Sequence, residues 1–303
     1  MKLQILCTHY KEPENIVKPL LDSIQMQEDI PPKEFGVIIV NDGDEGLLSE
    51  EFLSQYDFKI QYLVMPKGNV SKARNYALDH ATAKYVMFCD CDDRFFMECA
   101  FWWLFREMKK PFQVLNSMFF EEKDGQGTPH THDNTFVHGK VWNRQFLIDN
   151  NLRFDDELSV HEDGYFVVLA QCCADSIRYF DTAFYLWCTN ESSISRQSGF
   201  VKRTWRDYIK AKDKVIDELI KRGHRDIASA VVAIFLIEAK ERNLDKINML
   251  ETAKFYERHK DLLGELSKED KEQICKDASK QYKHKVNLST AYFERLLNMR
   301  ENS

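Results

Sequence analysis

The sequence lacks a hydrophobic run long enough to cross a membrane. A membrane-spanning helix needs about 20 apolar residues, whereas the apolar run at residues 228–237 has ten residues and predicts a buried helix. The apolar segment at residues 3–7 is also too short for a signal-peptide core. We therefore expect a cytoplasmic protein, with peripheral membrane contact as its closest approach to a bilayer.

The sequence also lacks a Cys-x-x-Cys pair, although it has eight cysteines. Structural zinc sites are typically built from such closely spaced pairs. Most of the cysteines stand inside apolar segments, where a free thiol behaves as a small hydrophobic side chain. This distribution argues against structural zinc and favours a reducing compartment.

Basic charge is scarce in the first part of the chain. The net charge is −7, yet residues 200–303 have 23 Lys and Arg against 18 Asp and Glu, so the acidic excess lies entirely in residues 1–199. An acidic region with clustered carboxylates fits a cation site. The mild basic surplus of residues 200–303 fits either a polyanionic partner or a solvated helical surface.

Strand-like and helix-like segments alternate through the first two hundred residues. Residues 37–40 are a continuous β-branched run, which is typical of a strand buried on both faces of a sheet. The order is β-α-β-β-α-β, with strands at 3–7, 36–40, 58–64 and 85–89 and helices at 14–27 and 71–81. This alternation predicts an α/β fold in which helices flank a mostly parallel sheet.

The pattern changes twice further along the chain. Residues 121–135 are rich in turn formers and are predicted to be a loop. After residue 200 only helical patterns remain. We therefore expect a catalytic or binding domain at 1–199 and a C-terminal α-helical region at 200–303, joined through the Ser-rich residues 192–199.

Polar residues follow three of the predicted strands, at 8–10, 41–43 and 90–93. In open α/β sheets, ligands bind beyond the carboxyl ends of the strands. The last segment, Asp90-Cys91-Asp92-Asp93, crowds three carboxylates that repel one another. Such a group fits a divalent cation such as Mg²⁺, or a solvated acidic turn.

Several segments occur in the order that glycosyltransferase family 2 uses, and together they resemble that family of inverting GT-A-type enzymes. The resemblance extends over about residues 3–196. The matching segments are the opening strand with Thr-x-Tyr at 6–10, Asp-Gly at 42–43, the Gly…Ala-Arg-Asn helix at 68–78, Asp-x-Asp at 90–92, residues 138–142 and 151–154, and the Glu-Asp pair at 162–163.

The resemblance implies a GT-A-type, Rossmann-like sheet between helices and a metal-dependent, inverting transfer of a sugar. The donor would be a nucleoside diphosphate sugar, most often a UDP-sugar. The acceptor hydroxyl would belong to a glycan, a lipid-linked glycan or another biomolecule, including a modified base in DNA. The helical region would bind the acceptor or form oligomers.

The resemblance also implies roles for individual residues. Asp163 would be the general base, and Asp92 would bind Mn²⁺ or Mg²⁺. Asp93 receives no role. The nucleotide would be bound by Thr8, Tyr10, Glu12, Asp42, Arg74 and Asp90, and an acceptor or donor pocket would include Lys140, Trp142 and Glu162. Many relatives carry a His at the position that Asn190 holds in this chain, which leaves the third metal contact open.

Other interpretations fit parts of the same pattern. Glu162 and Asp163 precede an apolar helical run and also suit a charge pair at a helix N-terminus. Arg74 also suits a surface ion pair. The carboxylates would likewise serve a Mg²⁺-dependent nucleotidyltransferase or phosphatase, and a non-catalytic module that binds nucleotide sugars is a further alternative.

Overall fold

The computed structural model of the chain describes residues 1–123, 125–189, 199–242 and 244–301. These residues fall into an N-terminal unit, Met1–Ser193, and a C-terminal unit, Ile194–Ser303. The predicted linker at 192–199 lies outside the described residues, apart from Gly199.

Four parallel strands form the first half of the sheet in the N-terminal unit. They are β1 (Leu3–His9), β2 (Phe35–Asp42), β3 (Lys59–Met65) and β4 (Tyr85–Asp90), in the spatial order β3-β2-β1-β4. Every residue of β2 is buried, as its β-branched run predicts. The register pairs Thr8 of β1 with Asp90 of β4 and with Val40 of β2. The three polar segments therefore end at one edge of the sheet.

Helices pack on this half of the sheet for reasons visible in the sequence. Helix α1 (Glu14–Gln25) buries Val17, Leu20, Leu21 and Ile24, which share one helical face. Helix α3 (Val70–His80) begins after Asn69, whose side chain accepts a hydrogen bond from the Lys72 amide at 3.0 Å. A single turn, α2 (Glu50–Leu53), was not predicted.

The second half of the sheet mixes strand directions. Its strands are β5 (Arg94–Phe95), β6 (Val114–Lys123), β7 (Gln126–His130), β8 (Lys140–Asn143) and β9 (Ile177–Trp187). Strand β8 runs antiparallel between β4 and β6, and β9 pairs parallel with β6. Because β8 runs opposite to β4, its first residue lies near the edge at which β4 ends.

The predicted loop at 121–135 is wrong in its first part. Strands β6 and β7 pair from Phe119 with His130 to Lys123 with Gln126, so this segment is a hairpin. Gly125 in the turn has a φ of 75°, a conformation that glycine adopts without strain. The turn formers therefore mark a tight hairpin turn and not a long loop.

Three more helices complete the N-terminal unit, namely α4 (Ala100–Glu107), α5 (Arg144–Asp149) and α6 (Glu162–Cys172). Helix α6 packs through Phe166, which stacks on Phe154 at a ring-centroid distance of 4.2 Å and meets Phe88 of β4 edge-on. This aromatic contact fixes the start of α6 beside the end of β4.

The described part of the C-terminal unit contains helices and no strand. They are α7 (Phe200–Arg203), α8 (Trp205–Lys221), α9 (Arg225–Glu241), α10 (Lys246–Glu265), α11 (Lys268–Tyr282) and α12 (Ala291–Glu301). Buried Trp205 stacks on Phe235, and its Nε1 donates to Thr252 Oγ1 at 2.9 Å. Among the described residues, no helix combines the length and apolarity that a membrane span requires.

Candidate active site

Carboxylates from two distant parts of the N-terminal unit meet at the carboxyl edge of the parallel strands. Asp90 is the last residue of β4, and Glu162 and Asp163 form the first turn of α6. Both elements end or begin at the same edge, which is the usual ligand-binding position of an open α/β sheet.

Arg74 joins these carboxylates. Its Nη1 lies 2.7 Å from Glu162 Oε1 and 2.6 Å from Asp163 Oδ1, and its Nη2 lies 3.0 Å from Asp90 Oδ1. The side chain is only 4% exposed. A planar guanidinium has several donors in fixed directions, so one arginine can orient three carboxylates at once. Arg74 therefore forms a buried ionic group and not the surface ion pair that the sequence also allowed.

The buried charges shift one another's protonation. Burial by itself lowers the pKa of Arg74, but Asp163, Asp90 and Glu162 outweigh it and raise that pKa above its ordinary value. Burial likewise raises the pKa of Asp90, yet Arg74 outweighs it and the pKa is lowered. Burial and the neighbouring Asp163 charge raise the pKa of Glu162 to about 7. Near neutral pH, Arg74 and Asp90 are charged while Glu162 is partly protonated.

Asp163 is held on both carboxylate oxygens. Arg74 donates to Oδ1, and the backbone N–H of Val137 donates to Oδ2 at 3.2 Å. The side chain is 15% exposed. Each carboxylate oxygen accepts more than one hydrogen bond, so the group is oriented and still has acceptor capacity for a substrate hydroxyl.

Asp93 is the most deeply buried of the three acids in the segment Asp90-Cys91-Asp92-Asp93. It accepts hydrogen bonds from the Tyr185 hydroxyl and from the backbone N–H of Cys188, the latter at 2.8 Å. Burial, followed by the charges of Asp90 and Asp92, raises the pKa of Asp93 well above its ordinary value. Sequence reasoning gave Asp93 no role, because nothing local shows that this position faces inward.

His138 adds a nitrogen ligand to the acidic residues. Its Nδ1 lies 3.9 Å from Asp93 Oδ2, and among the described residues this buried nitrogen has no hydrogen-bond partner. Burial lowers the pKa of His138, which favours the neutral, metal-ligating form. Asp90, Asp93 and His138 each offer one ligand atom, and these atoms lie within 4.8 Å of one another.

These three residues fit a divalent cation. An unpartnered imidazole nitrogen beside two carboxylates favours a transition-metal ion such as Mn²⁺ over Mg²⁺, which prefers oxygen ligands. Asp92, the predicted metal ligand, is half-buried beside this group but does not belong to it. Asn190 lies outside the described residues.

Gly139 places His138 on one side of it and Lys140 on the other. It has a φ of 67°, and a Cβ there would lie 3.1 Å from Ser117 Oγ and 3.2 Å from the Met118 carbonyl oxygen. A larger side chain here would be strained by the backbone conformation and would need Ser117 and Met118 to shift slightly. The sequence signal that could have identified His138 is a glycine between His and Lys at the start of a strand.

Four of the six predicted nucleotide-binding residues lie at or just beyond the ends of β1 and β2, and Arg74 and Asp90 belong to the group described above. Tyr10 is 45% exposed, and the Lys67 ammonium lies 3.1 Å from the centre of its ring. Lys67 Nζ is also 3.2 Å from Asp42 Oδ2, and the Gly68 amide donates to Asp42 Oδ1 at 2.5 Å. Sequence reasoning missed Lys67, which follows β3 at the same edge of the sheet.

Two other predicted residues serve the backbone of this region. Glu12 Oε2 accepts a hydrogen bond from the Tyr10 amide at 2.6 Å, which folds the chain after β1 into a tight turn. The missed His9 donates through Nε2 to the Glu12 carbonyl oxygen at 2.7 Å, and its Nδ1 is within hydrogen-bonding distance of the Asn41 amide oxygen. Thr8 is half-buried in β1, in register with Asp90.

Two of the three predicted pocket residues, Lys140 and Trp142, lie inside the protein. Lys140 is fully buried, and its Nζ donates to the Phe136 carbonyl oxygen at 2.6 Å. Burial lowers its pKa to about 8. Trp142 is also fully buried and meets Phe166 edge-on at 5.2 Å. The side chain of Trp142 therefore packs in the core, and its pocket role stays a prediction.

A sequence model of the family described as Glycosyl transferase family 2 matches residues 5–171. Poly(ribitol-phosphate) beta-N-acetylglucosaminyltransferase TarS of Staphylococcus aureus (strain Mu50) is 25% identical over an alignment of 227 residues that covers 66% of this chain and 38% of TarS. Glycosyltransferase GlyA of Streptococcus pneumoniae is 23% identical over an alignment of 290 residues that covers 85% of this chain and 40% of GlyA. The chain thus spans about two fifths of the length of these relatives.

Solved structures share the architecture. The structure of S. aureus TarS 1–349 with UDP-GlcNAc has a TM-score of 0.64 and 19% identity, covering 94% of this chain and 93% of that one. Mannosyltransferase PcManGT from Pyrobaculum calidifontis, with GDP-Man and Mn²⁺, has a TM-score of 0.55 and 12% identity, covering 93% and 82%. The predicted GT-A-type α/β fold with a C-terminal helical region is confirmed.

Proposed function

The chain belongs to glycosyltransferase family 2, and on that basis we propose that it is an inverting glycosyltransferase that moves a sugar from a nucleoside diphosphate to an acceptor hydroxyl. The observation that carries this proposal is the pairing of Arg74 with Asp90 on one side and with Glu162 and Asp163 on the other. This pairing supports the proposal because the carboxylate proposed for the donor and the base candidate share one buried cation.

Asp163 is the general base of the proposed reaction. Inversion requires a carboxylate that removes the proton of the attacking hydroxyl. The Arg74 and Val137 donors orient this carboxylate, and the oriented group lies at the sheet edge that binds ligands. A fixed acceptor of this kind lowers the entropy cost of placing the hydroxyl for attack.

Tyr10, Asp42 and Lys67 support the binding of the nucleotide base. An exposed aromatic ring offers a stacking surface, and the carboxylate and ammonium beside it offer one acceptor and one donor. For a base to use the covered face of Tyr10, Lys67 has to move from it. The UDP-GlcNAc complex of TarS makes UDP-GlcNAc the first donor to test.

Asp90, Asp93 and His138 would hold a divalent cation, with Mn²⁺ favoured by the imidazole nitrogen. Such an ion, when bound, neutralises the negative charge that develops on the leaving diphosphate. Asp92 stays a proposed ligand from the sequence. The proposed acceptor is a glycan or lipid-linked glycan, and the C-terminal unit is proposed to bind it or to form oligomers.

The test is a donor screen that measures release of the nucleoside diphosphate. UDP-GlcNAc, UDP-glucose, UDP-galactose and GDP-mannose are each incubated with the full chain and Mn²⁺, with and without oligosaccharide, poly(ribitol phosphate) and DNA acceptors. We expect release from one UDP-sugar that rises with a carbohydrate or polyol-phosphate acceptor. Binding of UDP without turnover of any donor would instead support a non-catalytic module.

A further inference from the structure

We propose that Lys140 is the positioning residue for Asp163 and acts through the single peptide group that joins Phe136 to Val137. This inference rests on the proposed function, because it gives Lys140 a task in the same transfer reaction. It also changes the sequence-based expectation that Lys140 lines a substrate pocket.

Lys140 and Asp163 bind opposite ends of one peptide group. The Lys140 ammonium donates to the Phe136 carbonyl oxygen at 2.6 Å, and the Val137 N–H donates to Asp163 Oδ2 at 3.2 Å. The carbonyl and N–H bonds of a planar trans peptide group point in opposite directions. A buried cation, one rigid dipole and the base candidate therefore form a continuous chain of hydrogen bonds, in which each bond polarises the next.

The neighbouring contacts explain why the orientation of this peptide group depends on Lys140. On its N-terminal side, Asp133 Oδ1 accepts the amides of Thr135 and Phe136 at 2.6 and 2.9 Å. On its C-terminal side, the Lys140 amide donates to the Val137 carbonyl oxygen at 3.3 Å. The peptide group between Phe136 and Val137 is the joint between these two anchored turns, and the ammonium holds its oxygen.

The buried ammonium of Lys140 carries a desolvation cost that opposes the stability gained through its contacts. The side chain is fully buried, and removing an ammonium from water is unfavourable even when a carbonyl oxygen replaces one of its water contacts. The charges of Asp133 and Asp163 offset only part of this desolvation. Methionine of similar length removes this desolvation cost but also leaves the Phe136 carbonyl oxygen without its donor, so the two effects on stability oppose each other.

The experiment compares Lys140→Met with wild type and with Lys59→Met, an exposed lysine on β3 outside the site. We expect Lys140→Met to keep the thermal midpoint and the Kd for UDP, while kcat for UDP release falls about 10- to 100-fold with KM for the donor nearly unchanged. By NMR, hydrogen exchange of the Val137 amide accelerates in Lys140→Met and not in Lys59→Met.

Unchanged kcat and unchanged Val137 exchange in Lys140→Met would overturn the proposal. A parallel loss of thermal midpoint, UDP binding and kcat would also overturn it, because it would show a structural role. If Lys140→Met does not fold, Lys140→Gln carries the test, since its amide still donates to a carbonyl oxygen and partial retention of kcat is expected; failure of both to fold counts against the proposal. If the wild-type protein releases no nucleoside diphosphate from any donor but its Val137 amide hydrogen exchanges slowly, the proposed function is refuted. The link between Lys140 and the peptide group would still stand.

Discussion

Arg74 Nη1 lies 2.6 Å from Oδ1 of Asp163, although the two residues are 89 positions apart in the chain. The base candidate is therefore paired with a buried cation that the protein itself supplies. Arg74 donates to one oxygen of this carboxylate, and its remaining lone pairs are left to accept a proton. The same cation also contacts Asp90 at the end of β4, so the donor side and the base side of the site share one charge.

Replacement of Asp163 by asparagine tests the base. Asp163→Asn retains the shape and the Val137 hydrogen bond but is a far weaker base, so kcat for UDP release should fall by about 10² to 10⁴. The Kd for UDP, measured by calorimetry, should stay within a factor of about three, because general-base catalysis contributes to the rate and not to ground-state binding. Turnover near the wild-type rate would remove Asp163 from the mechanism.

Replacement of Arg74 by methionine tests how much the buried ionic group contributes to the stability of the fold. Three partly buried carboxylates lose their shared cation, and breaking a buried ion pair from one side typically destabilises by about 3–5 kcal/mol. Lys18→Met, which removes an exposed pair with Asp22, is the control and should change stability by less than about 1 kcal/mol. Urea unfolding measures both. Equal effects of the two substitutions would show that the buried group is not a source of stability.

The pH dependence of stability tests Glu162. Its pKa is about 7 in the folded protein against an ordinary value of 4.5, so the folded state binds more protons between these values and this group's contribution to stability falls as pH rises. From pH 4.5 to pH 8, Glu162→Gln should gain up to about 3 kcal/mol relative to wild type.

Urea unfolding at both pH values, in buffer with a chelator, gives this comparison for Glu162. Glu50→Gln, an exposed residue of α2, is the matched control and should follow the wild-type curve. Parallel curves for Glu162→Gln and wild type would mean that Glu162 is ionised throughout.

Cation binding tests the group of Asp90, Asp93 and His138. We expect His138→Ala to weaken Mn²⁺ binding at least about tenfold, a size typical for perturbed metal sites, with a smaller effect on Mg²⁺. Electron paramagnetic resonance of free Mn²⁺ measures this without turnover. Because a bound cation replaces the Asp93 proton, Mn²⁺ affinity should rise with pH.

The sequence-based assignment of Asp92 is tested in the same titration. Asp92→Asn should weaken Mn²⁺ binding if Asp92 is a ligand, and should leave it unchanged if the cation depends on the deeper group. Wild-type affinity in His138→Ala together with loss in Asp92→Asn would favour the sequence-based assignment over the geometric one. EDTA treatment should abolish donor turnover in either case.

The predicted strands that came from runs of buried residues agree with the structure. The run at 37–40 and the segment that ends at Asp90 became β2 and β4, because a strand buried on both faces leaves a local signature. Strands β6 and β9 were not predicted. Residues 114–117 of β6 are buried in succession although two of them are polar, and β9 has no buried residue before Ala183. Strand β9 also changes register against β6, so no simple period marks either strand.

The candidate site was predictable at the level of positions and not of contacts. Asp90, Arg74 and Asp163 were identified from motifs, since each stands next to the end of a recognisable element. Asp93 and His138 were not, because whether an acid or an imidazole faces inward depends on packing against Tyr185, which is 92 positions from Asp93 in the chain. The burial of Trp142 was missed because it also depends on packing between distant segments, here on the contact with Phe166.

The sequence by itself determined the order of the first four strands with α1 and α3, the family resemblance and the residues that carry charge at the strand ends, because periodicity and short motifs are local properties of the chain. Only the tertiary structure decided which charges meet. The distances from Arg74 to its three carboxylates, and the peptide group shared by Lys140 and Asp163, depend on how β4, β8, α3 and α6 pack. Ionic and hydrogen-bond energies vary steeply with such distances, and the chain order alone does not contain them.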